Sequence, residues 1–271
     1  MTTPLCSPCS RGPLGDLRNH AAASITVRRP PQSSQAVDLI EAVTLRCCHY
    51  RGKVIVTTTR PDRGGETREL LLTTAERLFA EHGVAAVSSR QISEAAGQAN
   101  NSAVGYHIGT KTDVVLAIVR RHTAPMERRR AEMLATLTET SGLHEWIACL
   151  VRPVTDHLAD LGSPTWYARF AAQITTDPAL RQLVTDDTIT SPSLRQTLDG
   201  ISRLVPALPE QVRRERSDMI RHLLVHMCAE RERALHEGTV TPHPTWDAAA
   251  TGLIDAIAGL WLAPVSTSES P

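Results

Sequence analysis

The stretch from Ser88 to Lys111, SSRQISEAAGQANNSAVGYHIGTK, reads as two short helices joined by a tight turn. Ser88 is a good N-cap, and Gln91 three residues on completes the capping-box spacing. Ala95 and Ala96 are small enough for a second helix to cross closely. Gly97 supplies the turn, where a positive φ costs glycine least. Asn100 or Asn101 can cap the second helix, whose outward positions are Asn101, Ser102, Gly105 and Tyr106. Such short polar groups on a slim backbone are what a helix entering the DNA major groove needs.

Working outward, Leu71, Ala75, Leu78, Phe79 and His82 fall on one helical stripe in a segment starting near Glu66. Gly83 closes it. Ile92 and Ala96 form the inner face of the helix after Ser88. Thr110 with Asp113 is another cap-like pair, opening a helix with Val114, Val115, Ile118 and Val119 on one side. Arg120, Arg121 and His122 stand where they complement its dipole. Pro125 reads as an interruption. Beyond it the pattern is helical over 126–139, 143–161, 164–176, 178–185, 193–205, 209–237 and 244–262, punctuated by glycine and proline. With no alternating β pattern and no internal repeat, the fold class is all-α.

The 271 residues carry 41% hydrophobic and 21% charged side chains, an ordinary globular balance, with only 3% aromatics. Formal net charge is zero, so any nucleic-acid binding relies on a local patch and few phosphate contacts. Lys53 and Lys111 are the only lysines, beside abundant arginine. The six cysteines (Cys6, Cys9, Cys47, Cys48, Cys149 and Cys228) do not form a secreted disulfide framework. No apolar run reaches the ~18 residues of a membrane span, and no leader is evident, so a cytoplasmic protein with no membrane partner is expected.

Residues 1–64, rich in Pro, Ser, Arg and Gly, are expected to be a mostly disordered extension, with one brief helix over 36–48. Cys6-x-x-Cys9, Cys47, Cys48 and His49 invite a zinc reading, but Cys47 and Cys48 are adjacent rather than two apart, and no metal is expected. A start at Val54 or Val56 would leave a short polar arm, TTTRPDRGG, ahead of the first helix. Residues 265–271 read as a loose tail.

Two late helices carry continuous apolar seams. Ile220, Leu223, Leu224, Met227, Ala234 and Leu235 mark 209–237; Trp246, Ala250, Leu253, Ile257, Leu260 and Trp261 mark 244–262. Together they predict a symmetric homodimer through this helix pair; the alternative is that both seams are consumed within one chain. Trp146, His157, Trp166, Tyr167, Phe170, His222 and His226 gather most of the remaining aromatic and imidazole groups. They are the candidate lining of a small-molecule pocket, or simply core. His222, His226 and Glu230 share a face at i, i+4 and i+8, a permissible metal spacing without the HExxH motif, and a solvated or interface stripe is the expected role.

The ordered run Leu71–Phe79–Gly83, Ser88-x-Arg90-Gln91-Ile92, Ala95-Ala96-Gly97 and Tyr106-His107-x-Gly109-x-Lys111 resembles the TetR family of bacterial transcriptional regulators over Glu66 to His122. The resemblance implies an N-terminal three-helix DNA-binding domain at 65–124 with a helix-turn-helix. An all-helical ligand-binding and dimerisation domain at 125–264 would follow. It places helix 2 at about 89–96 and the recognition helix at about 101–107. Asn101, Ser102, Gly105 and Tyr106 would face bases or nearby phosphates, Ser88, Arg90, His107 and Lys111 the DNA backbone, and Asn100 is a further DNA-binding candidate. The sequence departs from the family pattern in a turn-to-helix stretch one residue longer than usual, in Ile108 where an aromatic is common, and in Gly105 within the recognition helix.

The expected function is a repressor that binds a pseudo-palindromic operator in double-stranded DNA as a homodimer and is released by a small-molecule effector. No nucleophile–base motif, Gly-rich phosphate loop or complete metal signature is present, so neither an enzyme nor a cofactor is expected. The competing reading is a helical protein-interaction module or metalloprotein without operator binding.

Overall fold

The computed structural model describes residues 63–188 and 191–265, with side chains described from 64 to 185 and from 191 to 265. All regular structure among them is helical. The helices are α1 (Arg63–His82), α2 (Ser89–Ala95), α3 (Ala103–His107), α4 (Lys111–Thr136) and α5 (Leu143–Leu161). They continue with α6 (Tyr167–Thr176), α7 (Pro178–Thr188), α8 (Pro192–Leu204), α9 (Glu210–Glu237) and α10 (Trp246–Leu262). The readings of 1–62, the zinc reading among them, and of the tail beyond 265 lie outside the described residues.

Around α1 the core forms from Leu71, Leu72, Ala75 and Phe79, all buried, with Val84 and Val87 of the loop after α1 and Ile92, Val104, Val114, Val115 and Ile118 brought in by α2, α3 and α4. Each such aliphatic contributes roughly 1.5–3 kcal/mol of burial. Phe79 stacks on Phe170 of α6, centroids 6.0 Å apart, so α1 rests directly on the later helices. There α5 is central, packing against α4, α8 and α10, while α6 packs against α1, α7 and α9.

Several expectations need correcting. The first helix begins at Arg63 rather than Glu66, so Arg63 and Gly64 are helical and not part of the extension. His82 is exposed, and Leu72 takes its place in the buried stripe. Pro125 does not end a helix: α4 runs through it to Thr136. The missing N–H and the ring clash cost ~3 kcal/mol in an isolated helix. Here His122, Met126, Arg130 and Leu134, all buried on both sides of the proline, hold the helix together. The 124/125 boundary therefore falls within one continuous helix.

The segment expected at 164–176 starts at Tyr167, for a tertiary reason. Glu232 of α9 is buried and caps the first turn of α6: its carboxylate accepts from the Ala168 amide (3.0 Å), the Arg169 amide (3.0 Å) and the Thr165 hydroxyl (2.6 Å). A carboxylate at a helix N-terminus is favoured by the dipole and by the free amides there. At the other pole, Arg216 donates from Nη1 to the Trp261 carbonyl (2.9 Å) and from Nη2 to that of Ala263 (2.7 Å), closing the C-terminal end of α10. Two buried charges of α9 thus seat α6 and α10.

The apolar seams of the last two helices are largely used inside the chain. In α10, Ala250, Leu253, Ile257 and Trp261 are buried, and α10 packs chiefly on α5. In α9, Ile220 and Leu224 are buried, while Met219, Met227 and Leu235 remain exposed, as does Leu262 of α10.

Candidate nucleic-acid interface

The α2–turn–α3 unit is built by local hydrogen bonds. The Ser88 amide donates to Gln91 Oε1 (2.8 Å) and the Gln91 amide to Ser88 Oγ (3.2 Å), the reciprocal cap read from the sequence. Gly97 turns the chain at φ +67°. Asn100 Oδ1 accepts from the Ser102 amide (2.9 Å), folding the residues ahead of α3 into a side-chain turn, so α3 opens at Ala103 rather than Asn101. Ser93, fully buried, accepts from the Val104 amide (3.4 Å) and donates to the Ser89 carbonyl (3.2 Å), pinning α3 to α2. Ala103 and Val104 face inward.

What faces outward is polar. Asn100, Asn101, Ser102, Gly105 and Tyr106 are exposed, His107 partly so. Tyr106 is 84% exposed, its ring held edge-on to that of His107 with centroids 4.9 Å apart. A large ring presented this way is available to stack or to bond through its hydroxyl. Ser88 and Arg90 are also exposed at the start of α2. Arg90 pairs with Glu94 (2.7 Å), which holds its guanidinium above the ordinary arginine range. At an exposed site such a pair is weak enough for a phosphate to displace.

Lys111, expected at the DNA backbone, bonds within the protein. Its Nζ donates to the carbonyls of Val84 (3.0 Å) and Ala85 (3.3 Å), fastening the start of α4 to the α1–α2 loop. Thr110 and Asp113 form the capping box beneath it, the Thr110 amide donating to Asp113 Oδ2 (2.8 Å). The Thr110 hydroxyl and amide hold the Asp113 carboxyl below its ordinary range. Gly109 at φ +126° leads into this cap, where a side chain would collide with Asp113.

The seven candidate pocket residues do not come together as one lining. Three of them do: Tyr167 of α6 lies between His157 of α5 and Phe170 of its own helix, all buried. Missing from the sequence reading was the partner that joins this cluster to α1. His122 of α4 stacks on Tyr167 (3.9 Å, 19°) and bonds both His157 and Glu76 of α1, each at 2.8 Å. Arg121 adds an ion pair to Glu76. Burial, with help from His122 and Arg129, pushes the His157 imidazole down to about 4, and burial pushes the Tyr167 phenol up. Glu76 on the stripe edge and His122 seven residues after Val115 were the signals available, but nothing local pairs them.

The other four lie elsewhere. Trp146 packs on Gly200 of α8 under Arg203, and Trp166 lies beside His236. His222 and His226 stand on the outer side of α9. A recess of about 510 Å³ is lined instead by Arg68, Leu72, Ile108, Leu116, Arg120 and Arg121 of α1, α4 and the segment between α3 and α4, among others. Among the described residues no helix is long and apolar enough to cross a membrane.

Residues 71–118 match the family model of bacterial regulatory proteins of the tetR family, and residues 148–259 match that of the tetracyclin repressor-like C-terminal domain. The HTH-type transcriptional repressor AcnR of Corynebacterium glutamicum is 29% identical over 92 residues, 32% of this chain and 48% of that protein. The AcnR of Corynebacterium efficiens gives the same identity and shares. The chain therefore spans about half the length of the curated relatives it matches. Among solved structures, the TetR family regulator PfmR of Thermus thermophilus is 14% identical with a TM-score of 0.40, covering 73% of this chain and 96% of that one. A putative transcriptional regulator of a Rhodococcus species is 20% identical with a TM-score of 0.38, covering 71% and 95%. The assignment rests on the two family models and on the motif-bearing helices they span: the chain belongs to the TetR family of transcriptional regulators.

Proposed function

We propose that the chain acts as a homodimeric repressor whose two α3 helices read the half-sites of a pseudo-palindromic operator. The observation that carries this reading is the exposed polar row of Asn101 and Ser102, in the turn that opens α3, and Tyr106 on α3 itself, whose other side is buried against α1 and α2. Asn101 and Tyr106 contact base edges or adjacent phosphates, with Ser102 and the Gly105 backbone close by. Ser88, Arg90, Asn100 and His107 fix the register through the phosphates. Lys111 acts by holding α4 and the α1–α2 loop in place. Half-sites lie about one helical turn apart, roughly 34–36 Å. Because its partner is chromosomal DNA, the protein works in the cytoplasm.

Self-association uses the outer faces of α9 and α10, where Met219, Met227, Leu235 and Leu262 are exposed. A small-molecule effector acts on the helical region around His157, Tyr167 and Phe170, and its influence on the operator is limited to its differential affinity for the two dimer geometries. The reading is tested by Asn101→Ala and Tyr106→Ala. Each is expected to lower operator affinity without changing sedimentation or thermal stability. Unchanged binding to promoter DNA in both variants would remove this face from the account.

A further inference from the structure

His222 and His226 stand one turn apart on α9, outside both the DNA-binding face and the buried aromatic cluster. Their rings are nearly parallel, with centroids 5.6 Å apart and 9° between planes. His222 is exposed and His226 half-buried, and among the described residues neither imidazole takes part in a hydrogen bond or an ion pair. The contrast with the other histidine pair is sharp: the facing nitrogens of His122 and His157 are already bonded to each other.

We propose that His222 and His226 together bind a borderline divalent transition-metal ion, of the Zn²⁺, Ni²⁺ or Cu²⁺ class, through their ring nitrogens. Two imidazoles at i and i+4 on one helical face can close on a single ion. With metal–nitrogen bonds of ~2.0–2.1 Å and a near-tetrahedral angle, ring centres sit ~5 Å apart. The ring centres stand within about an ångström of that spacing, and closing on an ion requires the stacked rings to turn so that one nitrogen of each converges. Imidazole is the ligand type that suits this metal class, and its neutral form is needed.

The carboxylates one turn to either side are engaged, Asp218 by Arg221 (2.7 Å) and Glu230 by Arg233 (2.9 Å). Among the described residues no group of three or more His, Cys, Asp or Glu side chains is placed to hold an ion. The described residues of one chain therefore supply these two ligands, with water completing the shell. The proposal does not use operator binding, but the pair shares the outer side of α9 with Met219, so it lies on the self-association face proposed above.

The test is calorimetric titration of Ni²⁺ into the full-length protein, after chelator treatment and removal of the chelator, for wild type, His222→Ala, His226→Ala and His144→Ala. His144 is an exposed histidine near Asp255 (3.7 Å) and serves as the control. Cysteines and histidines of the first 62 residues contribute equally to all four proteins. Affinity is expected to fall on the order of tenfold or more in His222→Ala and His226→Ala and to hold in His144→Ala. Equal Ni²⁺ affinity in all four proteins, with circular dichroism confirming the fold, would overturn the proposal. Operator binding measured in EDTA on the same samples separates this result from the fate of the regulator reading.

Discussion

His122 Nδ1 lies 2.8 Å from His157 Nε2, and the opposite nitrogen of the same ring lies 2.8 Å from the Glu76 carboxylate. One imidazole thus ties α1 to α5, and its stacking on Tyr167 ties in α6. Arg121 pairs with the same carboxylate, and the His122 tautomer with its proton on Nε2 donates to Glu76 and accepts at Nδ1 from His157 Nε2–H. Both nitrogens of the buried His122 ring are then partnered, which is what burial demands.

His157 gives this junction a pH signature. Its pKa falls from 6.5 to about 4 on folding, so above 6.5 it is neutral in both states and its full contribution is present. Between 6.5 and about 4 the unfolded chain takes up a proton that the folded chain refuses, and stability falls with falling pH; below that no further loss arises from this group. The loss is expected to be about 2 kcal/mol, allowing for solvent relaxation. Urea unfolding between pH 7.5 and 4.5 checks it: His157→Gln should be less stable at neutral pH yet show a flatter dependence on acidification.

Gly200 is expected to tolerate no side chain. A Cβ there would overlap the Cε3 and Cζ3 atoms of the Trp146 ring. Gly200→Ala should lower stability by about 1–3 kcal/mol, as overpacking of α5 against α8. Combining it with Trp146→Leu should recover part of that loss in thermal unfolding; additive losses would show the two residues do not meet.

Lys111 and Asn101 are expected to separate stability from recognition. Removing the Lys111 ammonium leaves the Val84 and Ala85 carbonyls without their donor, so Lys111→Met should cost about 1–2 kcal/mol in unfolding free energy. Asn101 is exposed, so Asn101→Ala should leave stability within about 0.5 kcal/mol of wild type and cost about 1–3 kcal/mol in operator binding. The reverse pattern would exchange their roles.

Salt dependence should be moderate. Residues 65–124 hold six Arg or Lys and six Asp or Glu, and Arg77, Arg90 and Arg121 are paired with glutamates. A dimer neutralising roughly four to six phosphates gives a slope of log K against log[salt] of about −4 to −5. Fluorescence anisotropy across a salt series checks this; a slope near −10 would require a cationic surface that these residues do not provide.

The legible parts of this chain were those written in local patterns. Ser88 with Gln91, Thr110 with Asp113, and the glycine after each short helix determine their caps within four residues, and the structure forms them. The start of α6 was not legible, because Glu232 supplies its cap from 64 residues away. Pro125 misled for the same reason: local cost was readable, but the buried contacts of His122 and Met126 that outweigh it are tertiary. Lys111 matched a motif position, yet its partners are loop carbonyls 26 and 27 residues upstream. The pocket residues were grouped by chemistry alone, and chemistry without contacts could not place Trp146 apart from His157.

The central claim, sequence-specific binding through α3, is tested most directly by selecting fragments of the organism's own genome on the purified protein and sequencing those retained. A shared pseudo-palindromic motif with half-sites about one helical turn apart is expected, lost when Tyr106→Ala replaces the wild type. Retention of fragments without a common motif, equal for wild type and Tyr106→Ala, would contradict it.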